Sequence, residues 1–441
     1  MQIHKNDDMR RFERRPYSKT IACSVGVVDV HEKKKLNLKA RAVDISDGGI
    51  GIETDYPLAP GHTLWFHGIE NKTGIVRWYT KLNDSYRIGI QIVQPKAVFS
   101  QPEKSSKDVL FVSEERAKYA EMLDAATDRF NKELEAIEKR TADPVEPGEG
   151  ILDKVKDAVD EVLSVCEDAE RGLQDKDIIR EARIRFRERT DPILSKSYFV
   201  KRTRTWPQGY QGDYKTLETI YKKTPHSSGI GYYLDLLGLN APLAEGVRNR
   251  IKKLSELLRK ELAERQQPFI LNIACGSCRE LMGIAPEIMT SGAHITCIDA
   301  DNDALAFAQD RLSYAGVIEQ VEFRKYNALR MFDDEMNLME FGPQDIIYSV
   351  GLFDYLPDDF LIKLLRALYN LLNVNGKLIA AFKDAERYSS QAYHWVCDWD
   401  GFLQRTENDF LRILDQAGIP QRSLSITREE TGIIVFYSAI K

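Results

Sequence analysis

Short apolar runs alternate with longer stretches of helical spacing through residues 263–441. Phe269–Ile273, His294–Ile298, Val321–Lys325, Asp345–Val350 and Lys377–Phe382 are rich in β-branched residues and predict buried strands. Between them the spacing predicts helices over Arg279–Thr290, Asp303–Ala315, Asp358 to about Asn375-Gly376, and Glu407–Ala417. The third of these carries Phe360, Leu361, Leu364, Leu365, Leu368 and Leu371 on its core side. Ser423–Thr427 and Ile433–Ala439 predict a closing hairpin. Regular alternation of this kind predicts a doubly wound α/β sheet.

The patterns upstream are different. Residues 1–95 hold alternating runs at Ile21–Val30, Leu36–Ile45, Leu64–Phe66, Gly74–Tyr79 and Tyr86–Val93, which predict a small β-barrel. Residues 96–195 predict charged helices, with Tyr119, Met122, Leu123, Ala126, Phe130 and Leu134 on one face and Leu152, Val155, Ala158, Val159 and Val162 on another. A breaker cluster, Thr141 to Gly150, separates them. This stretch reads as a helical linker, a spacer with some packing role; an element that forms a homodimer or transmits a signal is the sharper alternative. Residues 196–262 predict a helical pre-domain: an aromatic, glycine-rich loop (Thr205 to Tyr214), a helix through Leu217, Ile220 and Tyr221, and another from about Pro242. Tyr210, Asp213 and Tyr214 are the residues expected to roof a site, because closing a loop excludes water from a charge-changing transfer.

Length supports this division, since 441 residues exceed one ordinary core. With 43% hydrophobic and 29% charged residues, and no apolar run near the roughly 20 residues that span a bilayer, a soluble cytoplasmic protein with no membrane span is expected. The net charge of −6 is uneven: residues 1–95 carry 15 basic and 11 acidic residues, the remainder 47 and 57. The basic part suits an anionic ligand, whereas the acidic bulk is no general binder of DNA or RNA. Six scattered cysteines do not form a disulfide framework. Cys275 and Cys278 make a C-x-x-C, but no second pair or nearby histidine completes a tetrahedral site, so both are read as small loop residues and no metal is expected.

Two clusters carry candidate chemistry. Arg10-Arg-Phe-Glu-Arg-Arg-Pro-Tyr-Ser-Lys19 is a basic arm, and Asp44-Ile-Ser-Asp-Gly-Gly49 ends the second strand of the barrel. Asp44 and Ser46 can bond a turning backbone, and glycines supply the permissive dihedrals. The R-x-x-x-R arm followed by D-x-S-x-x-G resembles the PilZ domain, a bacterial receptor for cyclic di-GMP. That resemblance implies a cyclic di-GMP site drawn from Arg10, Arg11, Arg14, Arg15, Asp44, Ser46 and Gly49, with arginine forks on guanine edges and phosphates and Asp44 and Ser46 accepting from guanine N–H groups or fixing their loop.

The second cluster begins at Phe269-Ile-Leu-Asn-Ile-Ala-Cys-Gly-Ser-Cys-Arg-Glu-Leu281, a strand breaking into a small-residue loop and then a helix. Such a turn presents backbone N–H groups to a ligand at the sheet's carboxyl edge. With Asp299 after the next strand, Tyr326-Asn-Ala328 after the third and Ser349-Val-Gly-Leu-Phe-Asp354 after the fourth, it resembles class I S-adenosylmethionine-dependent methyltransferases, whose fold is a Rossmann-like, seven-stranded sheet. A dinucleotide reading would need G-x-G-x-x-G, which Ala274 to Cys278 does not supply. The resemblance implies a cofactor site of Asn272, Ala274, Gly276, Asp299, Ala300, Asn327, Ala328, Ser349 and Gly351, with Asp299 on the ribose hydroxyls. The pre-domain letters Gln-Gly-Tyr-Gln-Gly-Asp-Tyr and Arg248-Asn-Arg250 extend it to 3-hydroxypalmitic acid methyl ester synthases, implying a small or lipid-like acid as acceptor.

Methyl transfer is an in-line displacement in which alignment dominates. A carboxylate acceptor needs no base, whereas an amine or hydroxyl usually does. Asp354, Tyr355, His394 and Tyr214 are the candidate catalytic residues, with Arg387 and Tyr388 beside them. The sequence therefore points to a cyclic di-GMP-responsive methyltransferase. The alternative is a non-catalytic adaptor that signals through a protein partner.

Overall fold

The computed structural model describes residues 15–28, 33–46, 49–55, 58, 63–67, 73–81, 85–93, 106–141 and 150–441. In the N-terminal part, side chains are described at 40–44, 50–55, 58, 76, 80–81 and 85–90, and from 116 onward in the first helix. Two compact units, Met1–Lys107 and Asp108–Lys441, divide the chain.

The first unit is a closed antiparallel barrel of β1 (Arg15–Val28), β2 (Lys33–Ser46), β3 (Gly49–Thr54), β4 (Thr63–His67), β5 (Thr73–Lys81) and β6 (Tyr86–Val93), in the order β1-β2-β3-β6-β5-β4. Ala40, Ala42, Ile50, Ile52, Val76, Ile88 and Ile90 are buried, and their period of two is what a strand with one face in a core requires. Ile50 pairs with Ile90 and Ile52 with Ile88. β3 is a strand that the glycine-rich Gly49 to Glu53 concealed. β1 starts six residues before the apolar run, so that Arg15 pairs with Ile45 and Pro16 with Asp44.

The second unit opens with helices α1 (Ser106–Thr141), α2 (Ile151–Leu173), α3 (Lys176–Leu194), α4 (Tyr198–Thr205), α5 (Tyr214–Lys222), α6 (Ile230–Asn240) and α7 (Pro242–Glu264). What reads as one helix after Leu152 is two: Gln174 takes a left-handed conformation and Asp175 caps α3 through the N–H groups of Asp177 and Ile178. The described faces of α1 to α4 and α6 share one core with Trp395 and Val396.

The sheet that follows has β7 (Phe269–Ile273), β8 (His294–Asp299), β9 (Val321–Lys325), β10 (Gln344–Val350), β11 (Leu372–Lys383), β12 (Leu424–Arg428) and β13 (Ile434–Ile440), in the order β12-β13-β11-β10-β7-β8-β9. Strands β7 to β11 are parallel and the terminal hairpin is antiparallel. Helices α8 (Arg279–Met282), α9 (Ala285–Ser291), α10 (Asn302–Tyr314), α11 (Asp334–Phe341), α12 (Asp358–Leu371), α13 (Gln391–Trp395) and α14 (Glu407–Gln416) complete it. One face packs on α7 to α10, the other on α12 and α14. Leu361, Leu364, Leu365 and Leu368 are fully buried, each contributing about 2 kcal/mol of apolar transfer. Phe360, expected beside them, is 46% exposed. The chain runs outward in order from β7 to β9 and then crosses to β10, so the switch point lies between β7 and β10, where open α/β sheets bind ligands. No helix among the described residues is long and apolar enough to cross a membrane.

Candidate functional site

The loop after β7 is held by unusual backbone. Ala274, Gly276 and Cys278 all have positive φ, at 53°, 54° and 47°. The two non-glycines cost about 1–2 kcal/mol each, which marks a turn imposed by its surroundings. A Cβ on Gly276 would meet nothing within 4 Å, so its face is open. The Gly276 N–H donates to Asp299 Oδ2 at 2.8 Å and the Asp301 N–H to Oδ1 at 2.9 Å. Asp299 thus ties the ends of β7 and β8 together through backbone donors alone; burial raises its proton affinity. Ser349 Oγ donates to the Ile273 carbonyl at 2.9 Å, joining β10 to the same edge. Asn327 caps the turn after β9 through Leu329 N–H and is exposed, as is Ala300, while Ala328 is buried.

Asn272 takes a different position. Its amide is 2% exposed and donates to Glu280 Oε1 at 3.0 Å, inside the layer between the sheet and α8. Beside it lie three buried thiols, Cys275, Cys278 and Cys297, whose sulfurs are all within 4.8 Å of one another. Cys278 Sγ is 3.7 Å from Cys297 Sγ. Spacing along the chain did not show that β8 brings Cys297 to the C-x-x-C. Burial opposes ionisation of all three, but donors from Cys275, Cys278 and Asn272 outweigh it at Cys297 and hold that thiol low.

The aromatic loop of residues 206–213 does cover this edge. Tyr210 O–H donates to Asp301 Oδ2 at 2.9 Å, and Gln211 bonds the Asp398 carbonyl and the Gly401 N–H. Gly212 lies so close that a Cβ there would sit 2.9 Å from the Tyr355 hydroxyl and from Trp399. Asp213 is buried, caps α5 through Thr216 N–H and pairs with Arg202. Tyr214 packs its ring on Phe307, with centroids 5.4 Å apart, against α10. Sequence reasoning missed Glu218, the buried carboxylate of α5. It accepts from Ser277 Oγ at 2.7 Å, Arg279 at 2.9 Å and Arg311 at 2.7 Å, fastening the roof to the loop. Its one signal was a charge on the buried side of a short amphipathic helix.

Under the roof is a narrow cavity of about 40 Å³, with walls from α5, α7, the end of β10 and the segment around Tyr393 to Phe402. Tyr355 lines it and accepts from Trp399 Nε1 at 2.7 Å; burial pushes its hydroxyl well up. Asp354 is buried and pairs with Lys383, another wall residue, whose proton affinity burial lowers. His394 lies outside this lining. Its Nδ1 contacts Arg183 at 3.1 Å, and burial together with that cation lowers its pKa to about 4. A neutral imidazole facing an arginine on α3 is a packing group in this arrangement. Tyr388 bonds Gln404, and Arg387 is 58% exposed near Asp384.

In the barrel, Asp44 pairs with Arg87, and Arg87 with Glu53. A Cβ on Gly51 would lie 2.7 Å from Asp44 Oδ1, so a side chain there would push that carboxylate aside. Arg10, Arg11 and Arg14 lie outside the described residues. Arg15, Ser46 and Gly49 are placed by their strands, without described side chains.

An N-terminal six-stranded barrel, a helical middle and a C-terminal seven-stranded Rossmann-like sheet define the architecture, and the sheet is a methyltransferase fold. Residues 8–98 match the family profile described as the PilZ domain, and residues 271–378 match one described as a methyltransferase domain. The chain therefore carries a PilZ domain followed by a methyltransferase domain. An uncharacterised protein of Haemophilus influenzae is 28% identical over 115 residues, covering 26% of this chain and 42% of that relative. A solved structure described as a possible exported protein from Bordetella parapertussis aligns over 77% of this chain and 99% of its own, at 16% identity and TM-score 0.46. The magnesium protoporphyrin IX methyltransferase of Synechocystis, with bound S-adenosylhomocysteine, aligns over 45% and 85% at 14% identity and TM-score 0.35.

Proposed function

We propose that the second unit transfers a methyl group from S-adenosylmethionine to a small-molecule or fatty-acid-like acceptor, and that cyclic di-GMP bound by the PilZ barrel regulates it. The observation that carries this reading is Asp299, a carboxylate held by two backbone N–H groups beside the open face of Gly276, next to the sheet's switch point. A carboxylate so held keeps lone pairs for ribose hydroxyls, and the open glycine face leaves room for the nucleoside. The cofactor supplies a methyl group on a sulfonium. The chain's own residues orient the reactants and exclude water: the loop of 206–213 roofs the edge, and Glu218 keeps the roof on the loop. His394, neutral and turned to Arg183, is not the base in this scheme, which favours an acceptor that is already anionic.

Titration calorimetry tests both ligands. S-adenosylmethionine binds the wild type and at least about tenfold more weakly to Asp299→Ala, the loss of roughly one charged hydrogen-bonding partner. Cyclic di-GMP binds the wild type and not a variant with Arg11, Arg14 and Arg15 neutralised together. Each ligand changes the other's affinity by the same factor, since linkage is reciprocal. Binding of neither ligand overturns the proposal; tight cofactor binding with no turnover of any acceptor in cell extracts favours the adaptor.

A further inference from the structure

Arg250 breaks the apolar stripe of α7. Leu243, Ala244, Val247, Leu254 and Leu258 are buried at helical spacing, and Arg250 lies among them at 3% exposure. A cation so deep ordinarily has a carboxylate partner. Here Nη2 donates to the Tyr221 hydroxyl at 3.1 Å, and Nε is buried with no partner. No carboxylate among the described residues lies in ion-pair reach of it. Nearby Asp354 is taken by Lys383, and Glu218 by Arg279 and Arg311. Arg250 and Lys383 both line the cavity under the roof and no carboxylate lines it, so the site carries one uncompensated positive charge. Gly351, at φ +105°, leaves room for the guanidinium: a Cβ there would stand 3.1 Å from Nη1.

We propose that Arg250 is the anchor for a carboxylate on a ligand bound in this cavity. The inference deepens the methyltransferase reading and rests on it. A buried guanidinium lacking an anion is costly, and a carboxylate arriving in the cavity removes that cost while satisfying the fork that the protein leaves open. The walls behind it, among them Leu217, Ile220, Val247 and Phe402, are apolar and strengthen the interaction by excluding water. Two sources share this chemistry: the methionine end of the cofactor, and the acceptor itself.

Two matched pairs of probes, titrated into the full chain, decide the matter. The first pair is S-adenosylhomocysteine and its decarboxylated counterpart; the second is octanoate and octanamide, each with S-adenosylhomocysteine present. In the wild type the carboxylate member of one pair binds at least about tenfold tighter than its neutral partner. Arg250→Met erases that preference in the same pair alone, and Arg250→Lys restores part of it. A response in the first pair assigns Arg250 to the cofactor, and in the second to the acceptor. No preference in either pair, or a preference that survives Arg250→Met, overturns the proposal. If Arg250→Met loses its cooperative thermal transition, Arg250→Lys and the wild-type pairs carry the test. Failure of S-adenosylhomocysteine to bind at all counts against the methyltransferase reading; octanoate against octanamide without it then still reads Arg250.

Discussion

The loop from Ala274 to Cys278 has a carboxylate on either side, and the two are held by opposite means. On the roof side, Glu218 accepts from Ser277, Arg279 and Arg311. Burial would raise its pKa, but the Arg311 and Ser277 donors outweigh burial and hold it below the ordinary 4.5. On the core side, Glu280 accepts only neutral donors, Tyr348 O–H at 2.8 Å and Asn272 Nδ2 at 3.0 Å. Burial therefore dominates and pushes its pKa up to about 7. One flank of the loop is an ion cluster and the other a network that prefers its acid protonated. The same side chain serves as a charged strap or as a neutral core group according to whether cations reach it.

Removing the strap has the largest expected effect. Glu218→Gln leaves the partly buried Arg279 and Arg311 without their shared partner, and losing one member of such a cluster costs about 3–5 kcal/mol. Chemical denaturation of the full chain should show that loss in the transition of the second unit. A change below about 1 kcal/mol would mean that solvent already screens the cluster, and the contrast with Glu280 would collapse.

The pH profiles sharpen the contrast, because the two acids have opposite signs. Glu280 binds its proton more tightly folded than unfolded. Its contribution is complete below the unfolded value near 4.5 and is lost as pH rises toward 7. A shift of that size corresponds to about 3 kcal/mol. Glu218 behaves conversely, contributing above 4.5 and losing its contribution as pH falls through its depressed value. Between pH 4.5 and 7, Glu280→Gln should therefore remove a downward slope from the wild-type stability curve, while Glu218→Gln leaves that slope in place. Identical slopes in wild type and Glu280→Gln would show that Glu280 stays ionised.

The strands of the sheet, the turn at Gly276 and the strand-end position of Asp299 were legible because local chemistry decides them: β-branched runs make strands, and small residues allow a tight turn after the first of them. In the seven-stranded sheet, strand ends agree with the pattern to within a residue or two, except at β11, which starts at Leu372 where the helical pattern runs on to about Asn375-Gly376. The helix expected over Arg279–Thr290 is two helices because Gly283, Ile284 and Pro286 interrupt it. Both α6, apolar on nearly every side, and α11, with exposed Leu338 and Met339, lack the one-sided stripe that reveals a helix. Glu218 and the surroundings of Arg250 and Cys297 were not legible for a shared reason. Each acquires its meaning from residues well away in the chain, and a single buried charge or thiol in a pattern says nothing of what faces it.

The smallest effect concerns the other end of the roof. Helix α5 is fastened by the ion cluster, whereas the tip of the loop before it is latched to α10 by Tyr210 O–H on Asp301, at a tyrosine 39% exposed. Asp301 in turn donates its N–H to Asp299, so the latch touches the edge at Asp299 and Gly276 through one backbone group. Tyr210→Phe removes about 1 kcal/mol of hydrogen bonding, too little to shift global unfolding much. Hydrogen exchange should quicken about fivefold in amides of 208–213 and stay unchanged through Tyr214–Lys222, which the cluster holds independently. If α5 quickens together with the loop, the roof moves as one body, and the cluster at Glu218 is a hinge for it instead of a fixed strap.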